Sequence, residues 1–370
     1  MIPEHGGNVR SLAAELGCPA EDIIDMSSNL NPFGPPPGLL EHLQEHLREI
    51  YALPEMDAAG MIQAFADFYD LDPARVQAGN GTTQLIDAVP PALNVEKPLI
   101  LAPTYSEYAR ACRMHHLEPA FFAASPQEAF QVDMSAFSRA VPEHDLVFIC
   151  NPNNPTGVLL PRADILALVD EHPRVRFVID ESYLPFVPGA EEVTLIHAHR
   201  RNLFVCNSMS KIFRIPGLRV GFLIGPAELM PRFASFGQPW SVNALAQAAV
   251  CFLMRQKEAT RAFVQQSRAL MLQEKARFLE AAAACRDLCF FPGATYFVLA
   301  SLQGAGTVQD ICRYLSREKI LIRDCGNFEG LPPGFLRISL KTRKQNQLLV
   351  DTLLRLSMSR EQLCSAGSRL

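Results

Sequence analysis

Short apolar runs alternate with polar or glycine-rich turns and with stretches of helical periodicity over the first part of the chain. These runs are PLILAPTY, DLVFICNPNN, RFVIDESY, NLFVCNSMSK and LRVGFLIG. Strands that are buried on both faces of a parallel sheet have this continuous apolar character, and helices connect them. The pattern therefore predicts an α/β fold with a mostly parallel sheet.

The pattern changes after about Trp240. Two long amphipathic stretches, NALAQAAVCFLMRQ and SRALMLQEKARFLEAAAAC, precede three shorter strand candidates, ATYFVLASL, KILIRDC and GFLRISL. Helices and strands that are grouped in this way predict a second, smaller α+β domain. We therefore expect an N-terminal arm over residues 1–40 that joins the small domain, a large α/β domain over residues 41–244, and the small domain over residues 245–370.

Composition and charge exclude several classes of partner. The chain has 370 residues and a net charge of −5. It contains no basic cluster, which disfavours nucleic acid or an anionic membrane as a partner. No apolar run is long enough to span a bilayer, and the start MIPEHGGNVR lacks the pattern of a signal peptide. The cysteines are scattered without metal-ligand spacing, so we expect no metal and a reduced, cytoplasmic protein.

Polar motifs follow the predicted strands of the large domain. In open α/β sheets, ligands bind beyond the carboxyl ends of the strands. Tyr105, the turn over residues 151–157, Asp180 with Tyr183, and the segment over residues 208–211 all lie at such ends. The sequence therefore predicts that these motifs converge on one site.

Lys211 ends the motif SMSK, directly after a buried strand candidate. Burial lowers the pKa of a lysine and makes its amine a usable nucleophile. Arg219 follows in the same segment and could return to the pocket as a phosphate ligand. From this motif alone, a surface lysine after a loop is the favoured alternative.

Asp180 ends the strand candidate RFVID. A carboxylate in that position needs a cationic partner, because an unpaired buried charge is costly. A protonated pyridine nitrogen would serve, and a carboxylate beside it keeps the ring an electron sink. Tyr183 could reach the oxygen of the same ring. The alternative is an aspartate that only caps the turn ESYL.

Three further segments have the composition of a cofactor cradle. Gly81, Thr82 and Thr83 open a helical pattern, and the N-terminus of a helix binds phosphate through its N–H groups and dipole. Asn154, in the turn NPNNPTG, could donate to the ring oxygen, and Tyr105 could stack on the ring. The alternatives are an ordinary helix start, a tight turn and core packing.

Together and in this order, these motifs resemble the fold-type I pyridoxal phosphate (PLP) enzymes of the aspartate aminotransferase superfamily, over essentially the whole chain. The resemblance implies a homodimer with PLP as its cofactor, held as a Schiff base on Lys211, and catalytic roles for Lys211, Asp180 and Tyr183. It implies that Tyr51, in the divergent segment YALPEMD, reaches the cofactor phosphate of the other subunit. The cofactor-binding residues that it implies are Gly81, Thr82, Thr83, Tyr105, Asn154, Asp180, Tyr183, Ser208, Ser210, Lys211 and Arg219.

Within that superfamily, the chain resembles the threonine-phosphate decarboxylases of cobalamin biosynthesis more than the histidinol-phosphate aminotransferases. The segments that carry this resemblance are HGGN, SSNLNPFGPP, IPGLR, PWSVNALAQ and ILIRDCGNFEGL, while SMSK lacks a threonine that often precedes the lysine. The implied reaction is decarboxylation of L-threonine O-3-phosphate to (R)-1-amino-2-propanol O-2-phosphate. An aminotransferase acting on histidinol phosphate is the alternative, because the two reactions differ in which Cα bond stands perpendicular to the ring. A non-catalytic regulator is disfavoured by the intact lysine, aspartate and arginine set.

A phosphorylated amino acid carries two anionic groups, and each needs cationic or N–H donors once water is excluded. The resemblance assigns the α-carboxylate to Arg337 in FLRISL, with Asn154 beside it. The candidates for the substrate phosphate are Arg323, His5, Asn8 and Ser28. The alternatives are a surface salt bridge of Arg323 with Asp324 or Glu329, and a mobile terminus for His5.

Overall fold

The computed structural model describes residues 6–304 and 306–367, with side chains described up to residue 357. Its strands, in chain order, are β1 (Ile24–Asp25), β2 (Val76–Gly79), β3 (Pro98–Ala102), β4 (Ala120–Ala123), β5 (Leu146–Cys150), β6 (Arg176–Asp180), β7 (Leu203–Ser208), β8 (Gly221–Ile224), β9 (Leu288–Phe291), β10 (Phe297–Leu302), β11 (Ile320–Leu321), β12 (Arg323–Asp324) and β13 (Phe335–Ser339). Its α-helices are α1 (Val9–Leu16), α2 (Leu39–Glu45), α3 (Ala59–Tyr69), α4 (Gly81–Leu93), α5 (Glu107–Met114), α6 (Met134–Ala140), α7 (Arg162–Glu171), α8 (Ala190–Val193), α9 (Met209–Ile212), α10 (Met230–Ser235), α11 (Ala244–Arg255), α12 (Lys257–Ala282), α13 (Val308–Arg317) and α14 (Arg343–Gly367).

The large sheet has the strand order β2-β8-β7-β6-β5-β3-β4. Strands β7, β6, β5, β3 and β4 run parallel to one another, whereas β8 is antiparallel to both β7 and β2. Every residue of β5 and β7 is buried, because helices cover both faces of the sheet. The mostly parallel α/β fold expected from the apolar runs is confirmed.

The carboxyl ends of three neighbouring strands meet at one edge of this sheet. Cys150 at the end of β5 pairs with Asp180, and Asp180 pairs with Cys206 on β7. The polar residues that follow these strands therefore lie along the same edge, as the motif spacing predicts.

A second, four-stranded antiparallel sheet has the order β12-β13-β10-β9. Its apolar face packs with α12, α13 and α14 in a separate core that includes Phe278, Ile311 and Leu349. The segment KILIRDC, expected as one strand, is divided into β11 and β12. Strand β11 pairs with β1, and Ile24 lies opposite Ile320. A short strand of the N-terminal arm thus pairs with this smaller unit.

Helix α11 packs against α3 in the core of the large sheet, where Ala246 and Val250 join Phe65. Helix α12 begins beside that core and ends in the core of the small unit, with Met271 in the first and Phe278 in the second. The division of the chain into domains stays a proposal, and this packing favours a boundary within α12 rather than at residue 245. In the described residues, no helix has both the length and the apolar character that crossing a membrane requires.

Candidate active site

One pocket lies at the carboxyl edge of the large sheet, between β5, β6, β7 and the start of α4. It is lined by eleven of the residues that were expected to bind the cofactor. Tyr51, which was also expected to bind it, does not line this pocket. The pocket is lined by Gly81, Thr82, Thr83, Tyr105, Tyr108, Cys150, Asn154, Asp180, Ser182, Tyr183, Ser208, Ser210, Lys211 and Arg219. The convergence expected from the strand-end motifs is therefore present in the folded chain.

Lys211 lies on the short helix α9 that directly follows β7. Burial of its amine is the main cause that lowers its pKa to about 8, and the charge of Arg219 lowers it further. An amine with this pKa is partly neutral near physiological pH, so it can act as a nucleophile. The alternative of a surface lysine is wrong, because the side chain lines this pocket.

Asn31 anchors the helix that carries the lysine. Its backbone N–H donates to the carbonyl oxygen of Lys211 at 3.1 Å, and its side-chain amide donates to Ile212 O at 2.8 Å and Ser267 Oγ at 2.9 Å. Asn31 is fully buried. The asparagine was not singled out in the sequence, although it lies in the segment SSNLNPFGPP that carries the family resemblance.

A dianion fits the end of the pocket at the N-terminus of α4. Asn80 makes no side-chain cap there, and Gly81 has a φ of 75°, in the left-handed region. A Cβ atom on Gly81 would come within 2.5 Å of Arg219 Nη2, so a glycine lets the guanidinium group lie against the helix terminus. The buried hydroxyl groups of Ser208 and Ser210 complete a donor set suited to a phosphate.

Asp180 is buried at the opposite end of the pocket, and neutral donors hold it in place. Its Oδ1 accepts a hydrogen bond from the backbone N–H of Ser182 at 2.9 Å, and its Oδ2 accepts one from the hydroxyl of Tyr108 at 2.7 Å. Among the described residues, no cationic side chain forms a salt bridge with Asp180, which suits it to pair with a protonated ring nitrogen. The carboxylate also caps the turn after β6, so the two interpretations of this residue are compatible.

Tyr108 is a site residue that the sequence interpretation missed. It is fully buried on α5, and its ring stacks on Phe148 at a centroid distance of 5.1 Å. The half-buried ring of Tyr105, three residues earlier and before the start of α5, meets Tyr108 edge to face. The spacing of the two tyrosines in PTYSEYAR was a signal, but this spacing is equally typical of ordinary core packing.

Arg337 links Asn154 to the N-terminal segment. Its Nη1 donates to Asn154 Oδ1, and its Nη2 donates to the carbonyl oxygen of Ser27 at 2.6 Å. The bond to Oδ1 orients the amide of Asn154 and leaves its NH₂ group for another acceptor. Tyr183 lies near Arg337, and burial raises the pKa of the phenol to about 12, so Tyr183 stays a neutral donor.

Arg323 is 4 % exposed, and it lies directly opposite Arg337 across β12 and β13. Its Nη2 donates to Asn327 Oδ1 at 2.6 Å, and its guanidinium group lies 5.5 Å from the ring centroid of Phe328. The alternative of a surface salt bridge is wrong, because the residue is buried. The carboxylate of Asp324 instead accepts hydrogen bonds from Gln309 and from the backbone N–H of Gly326.

The remaining expected substrate ligands lie around the N-terminal segment. The carbonyl oxygen of Ser28 accepts a hydrogen bond from Lys341 Nζ at 2.9 Å. Asn8 is exposed at the start of α1. Tyr51 is 87 % exposed and lies outside the pocket of its own chain. His5 lies outside the described residues.

The residues present fit PLP. The pocket offers a phosphate site at α4, a buried carboxylate for the ring nitrogen, two tyrosines and an asparagine beside the ring, and a nucleophilic lysine between the two ends. An arrangement with one dianion site and one carboxylate on opposite sides of an amine matches the charge distribution of this cofactor.

Comparison with known proteins agrees with this geometry. Residues 21–353 match the family described as aminotransferase class I and II. The threonine-phosphate decarboxylase of Salmonella typhimurium is 31 % identical over 354 residues, which cover 94 % of this chain and 95 % of that protein. The crystal structure of L-threonine-O-3-phosphate decarboxylase from Porphyromonas gingivalis is 32 % identical with a TM-score of 0.80, and the match covers 91 % of this chain and 100 % of that one.

The second relative expected from the sequence is also present. The histidinol-phosphate aminotransferase from Clostridium acetobutylicum is 25 % identical with a TM-score of 0.83, and the match covers 91 % of this chain and 100 % of that structure. The order of the two resemblances agrees with the sequence interpretation, since the decarboxylases share the higher identity. This chain belongs to the aminotransferase class I and II family of PLP-dependent enzymes.

Proposed function

We propose that this protein is a PLP-dependent carboxy-lyase that converts L-threonine O-3-phosphate into (R)-1-amino-2-propanol O-2-phosphate for cobalamin biosynthesis. The observation that carries the proposal is the pair of guanidinium groups of Arg323 and Arg337, which lie opposite each other on neighbouring strands. A substrate with a carboxylate and a phosphate supplies one anionic group for each. The similarity to threonine-phosphate decarboxylases over nearly the whole chain supports the same substrate.

Each residue of the pocket has a separate role in the proposed reaction. When bound, PLP supplies a ring that accepts the electron pair left at Cα after carbon dioxide departs. Asp180 keeps the ring nitrogen protonated, and Tyr183 with the amide of Asn154 donates to the ring oxygen. Arg337 would hold the substrate carboxylate, and Lys211 would hold the cofactor through its side-chain amine. The same amine would return a proton to Cα.

The donors of the phosphate end keep the cofactor in one position. The first turn of α4, Ser208, Ser210 and Arg219 bind the cofactor phosphate and fix the tilt of the ring. The substrate phosphate is bound separately, by Arg323 with Asn8, Ser28 and His5 from the N-terminal segment. Gly7 N donates to Ser27 Oγ at 2.8 Å, and Ser27 O accepts a hydrogen bond from Arg337. Asn8 and Ser28 therefore directly follow residues that are linked to the strand beside Arg323.

A direct assay separates the proposed decarboxylase from the alternative aminotransferase. The holoenzyme is incubated with threonine phosphate and, in a second arm, with histidinol phosphate and 2-oxoglutarate. We expect carbon dioxide in the first arm and no glutamate in the second, with Lys211→Ala inactive in both. Glutamate without carbon dioxide would establish the aminotransferase instead.

We also propose that the active species is a cytoplasmic homodimer whose substrate is a small phosphorylated amino acid, with neither nucleic acid nor membrane as a partner. Ile50, Tyr51, Leu53 and Met56 are each at least 57 % exposed, and a second copy would cover this apolar segment. Every cysteine in the described residues is free, which supports a reducing compartment.

A further inference from the structure

A second cavity of about 420 Å³ lies on the other side of β7 from the Lys211 pocket, between the sheet and α12. Phe68, Tyr69 and Phe213 form aromatic walls, while Glu181 and Asn207 face it from the strand ends. The proposed reaction uses none of these residues. A partly apolar cavity with a few converging polar groups is the usual form of a small-molecule site.

Glu181 and Asn207 lie side by side. Asp180 and Cys206 are register partners on β6 and β7, and Glu181 N donates to Cys206 O at 2.9 Å. Glu181 and Asn207, which follow these two residues, therefore face the same side of the sheet. Glu181 is 2 % exposed, and its carboxylate accepts hydrogen bonds from Thr194 Oγ1 at 2.5 Å and from Leu195 N at 2.7 Å. The carboxylate forms no salt bridge with any described residue.

Asn207 also lines the cavity, and it is 7 % exposed. In the described part of the chain, its side-chain amide has no hydrogen-bond partner. The amide of Asn207 and the remaining lone pairs of the Glu181 carboxylate are therefore available to a ligand that carries donor groups.

The arginines at the mouth of the cavity are engaged elsewhere. Arg268 pairs with Glu191 at 3.0 Å and donates to Pro185 O, while Arg261 lies 5.1 Å from the ring centroid of Phe68. Neither one neutralises Glu181. Burial accordingly raises the pKa of the Glu181 carboxyl to about 7.

We propose that this cavity binds a small organic cation with a planar amidine or guanidine group, held by Glu181 and Asn207, and with an apolar body against the aromatic walls. A planar cation donates two parallel hydrogen bonds to a carboxylate, and a further N–H group can reach Asn207 Oδ1. Aromatic faces attract the charge and pack the body. Because Asn207 directly precedes Ser208, the ligand lies against the segment that carries Lys211.

Calorimetric titration of the holoenzyme with benzamidine, and with benzamide as a neutral analogue of the same shape, tests the proposal. At about pH 8 we expect benzamidine to bind at least about tenfold more tightly than benzamide. The affinity of benzamidine falls as the pH drops through 7, because Glu181 then takes up a proton and loses its charge. Equal affinities for the two probes, or no binding of benzamidine, would overturn the proposal.

The pH dependence is assigned to Glu181 by variants of the surrounding groups. The titratable and charged groups around the carboxyl and the cavity are Tyr69, Asp70, Arg162, Asp180, Glu191, His197, Arg261 and Arg268. His197→Gln is expected to retain the pH dependence, whereas Glu181→Gln removes it. A pH dependence that disappears with His197 would contradict the assignment.

Two further variants test the position of the ligand. Asn207→Arg places a guanidinium group of the chain itself in the cavity, so we expect benzamidine affinity to fall at least about tenfold and the melting temperature to rise. Glu192→Gln removes an exposed carboxylate that does not line the cavity and is expected to alter the affinity by less than about threefold. Undiminished binding to Asn207→Arg, or an equal loss in both variants, would show that benzamidine does not occupy this site.

Discussion

Arg323 and Arg337 lie directly opposite each other on the antiparallel strands β12 and β13, and both are at most 5 % exposed. Like charges in this arrangement destabilise a sheet. Their described hydrogen bonds go to neutral oxygen atoms of Asn327, Asn154 and Ser27. A substrate with two anionic groups would relieve the repulsion, which gives the arginine pair a function that packing does not explain.

Arg323→Ala is expected to raise the KM for threonine phosphate by a factor of about 30 or more, because loss of one partner of a buried charge pair costs about 2–5 kcal/mol. The visible absorbance of the bound cofactor is expected to be unchanged, since Arg323 does not line the Lys211 pocket. Steady-state kinetics with threonine phosphate and with unphosphorylated threonine provide the comparison. If the KM values for the two substrates rise by the same factor, Arg323 does not bind the substrate phosphate.

Asp180→Asn is expected to lower kcat by about two to four decades, because loss of one partner of a buried ion pair costs about 3–5 kcal/mol and each 1.36 kcal/mol is tenfold. Tyr108→Phe keeps the carboxylate and removes only one hydrogen bond to it. Its kcat is expected to fall by about one to two decades, since hydrogen bonds to charged groups contribute about 1.5–3 kcal/mol. Near-normal turnover in Asp180→Asn would mean that the residue only caps the turn after β6.

Lys211→Ala is expected to lose almost all turnover and the visible absorbance of cofactor joined to lysine. Lys211→Arg is the matched control, because arginine keeps a positive charge but stays protonated and cannot act as a nucleophile. Absorbance spectra and carbon dioxide release are measured for both. Activity in Lys211→Arg would assign to Lys211 an electrostatic role instead of a nucleophilic one.

The positions of the main chemical groups were predictable because each follows a buried strand. Lys211 and Asp180 come at the ends of apolar runs, and parallel strands present their carboxyl ends at one edge. The contribution of Ser27 was not predictable, because it binds Arg337 through a backbone carbonyl group that every residue has.

Tertiary packing decided the features that the sequence interpretation missed. Tyr108 has the spacing of an ordinary core residue, and only the packing of α5 against the sheet brings its hydroxyl group to Asp180. The apolar face of α11 has the same pattern whichever core it joins, so the sequence did not show that it packs on α3. The cavity beside Asn207 depends on how closely α12 approaches the sheet, which no local pattern encodes.

The apolar segment around Tyr51 predicts a dimer. Tyr51 is 87 % exposed and Leu53 is 72 % exposed. Leu53→Asp is expected to shift the sedimentation coefficient from dimer to monomer, because a charge that becomes buried in an apolar interface is costly. Tyr51→Phe keeps the apolar ring and is expected to remain dimeric but to bind the cofactor more weakly. A fully active wild-type monomer at assay concentration would contradict both expectations.

Glu181 should make the protein less stable as the pH rises from about 4.5 to about 7. Its pKa in the folded chain is raised by burial to about 7 from the ordinary value of 4.5, so the folded state binds the proton more tightly than the unfolded state. The stability that this proton confers is complete below about pH 4.5, is lost as the pH rises through that window, and stays lost above it. At about 1.36 kcal/mol per pKa unit, the loss is about 3 kcal/mol.

Glu181→Gln removes that titration, so the free energy of unfolding of the variant relative to wild type is expected to rise by about 3 kcal/mol between pH 5 and pH 8. Urea denaturation at the two pH values measures the difference, and comparison with wild type cancels the contributions of all other titrating groups. Glu192→Gln, an exposed carboxylate in the same region, is the control and is expected to show no such change. A constant difference for Glu181→Gln would contradict the prediction, because it would mean that folding does not raise the pKa of the Glu181 carboxyl group.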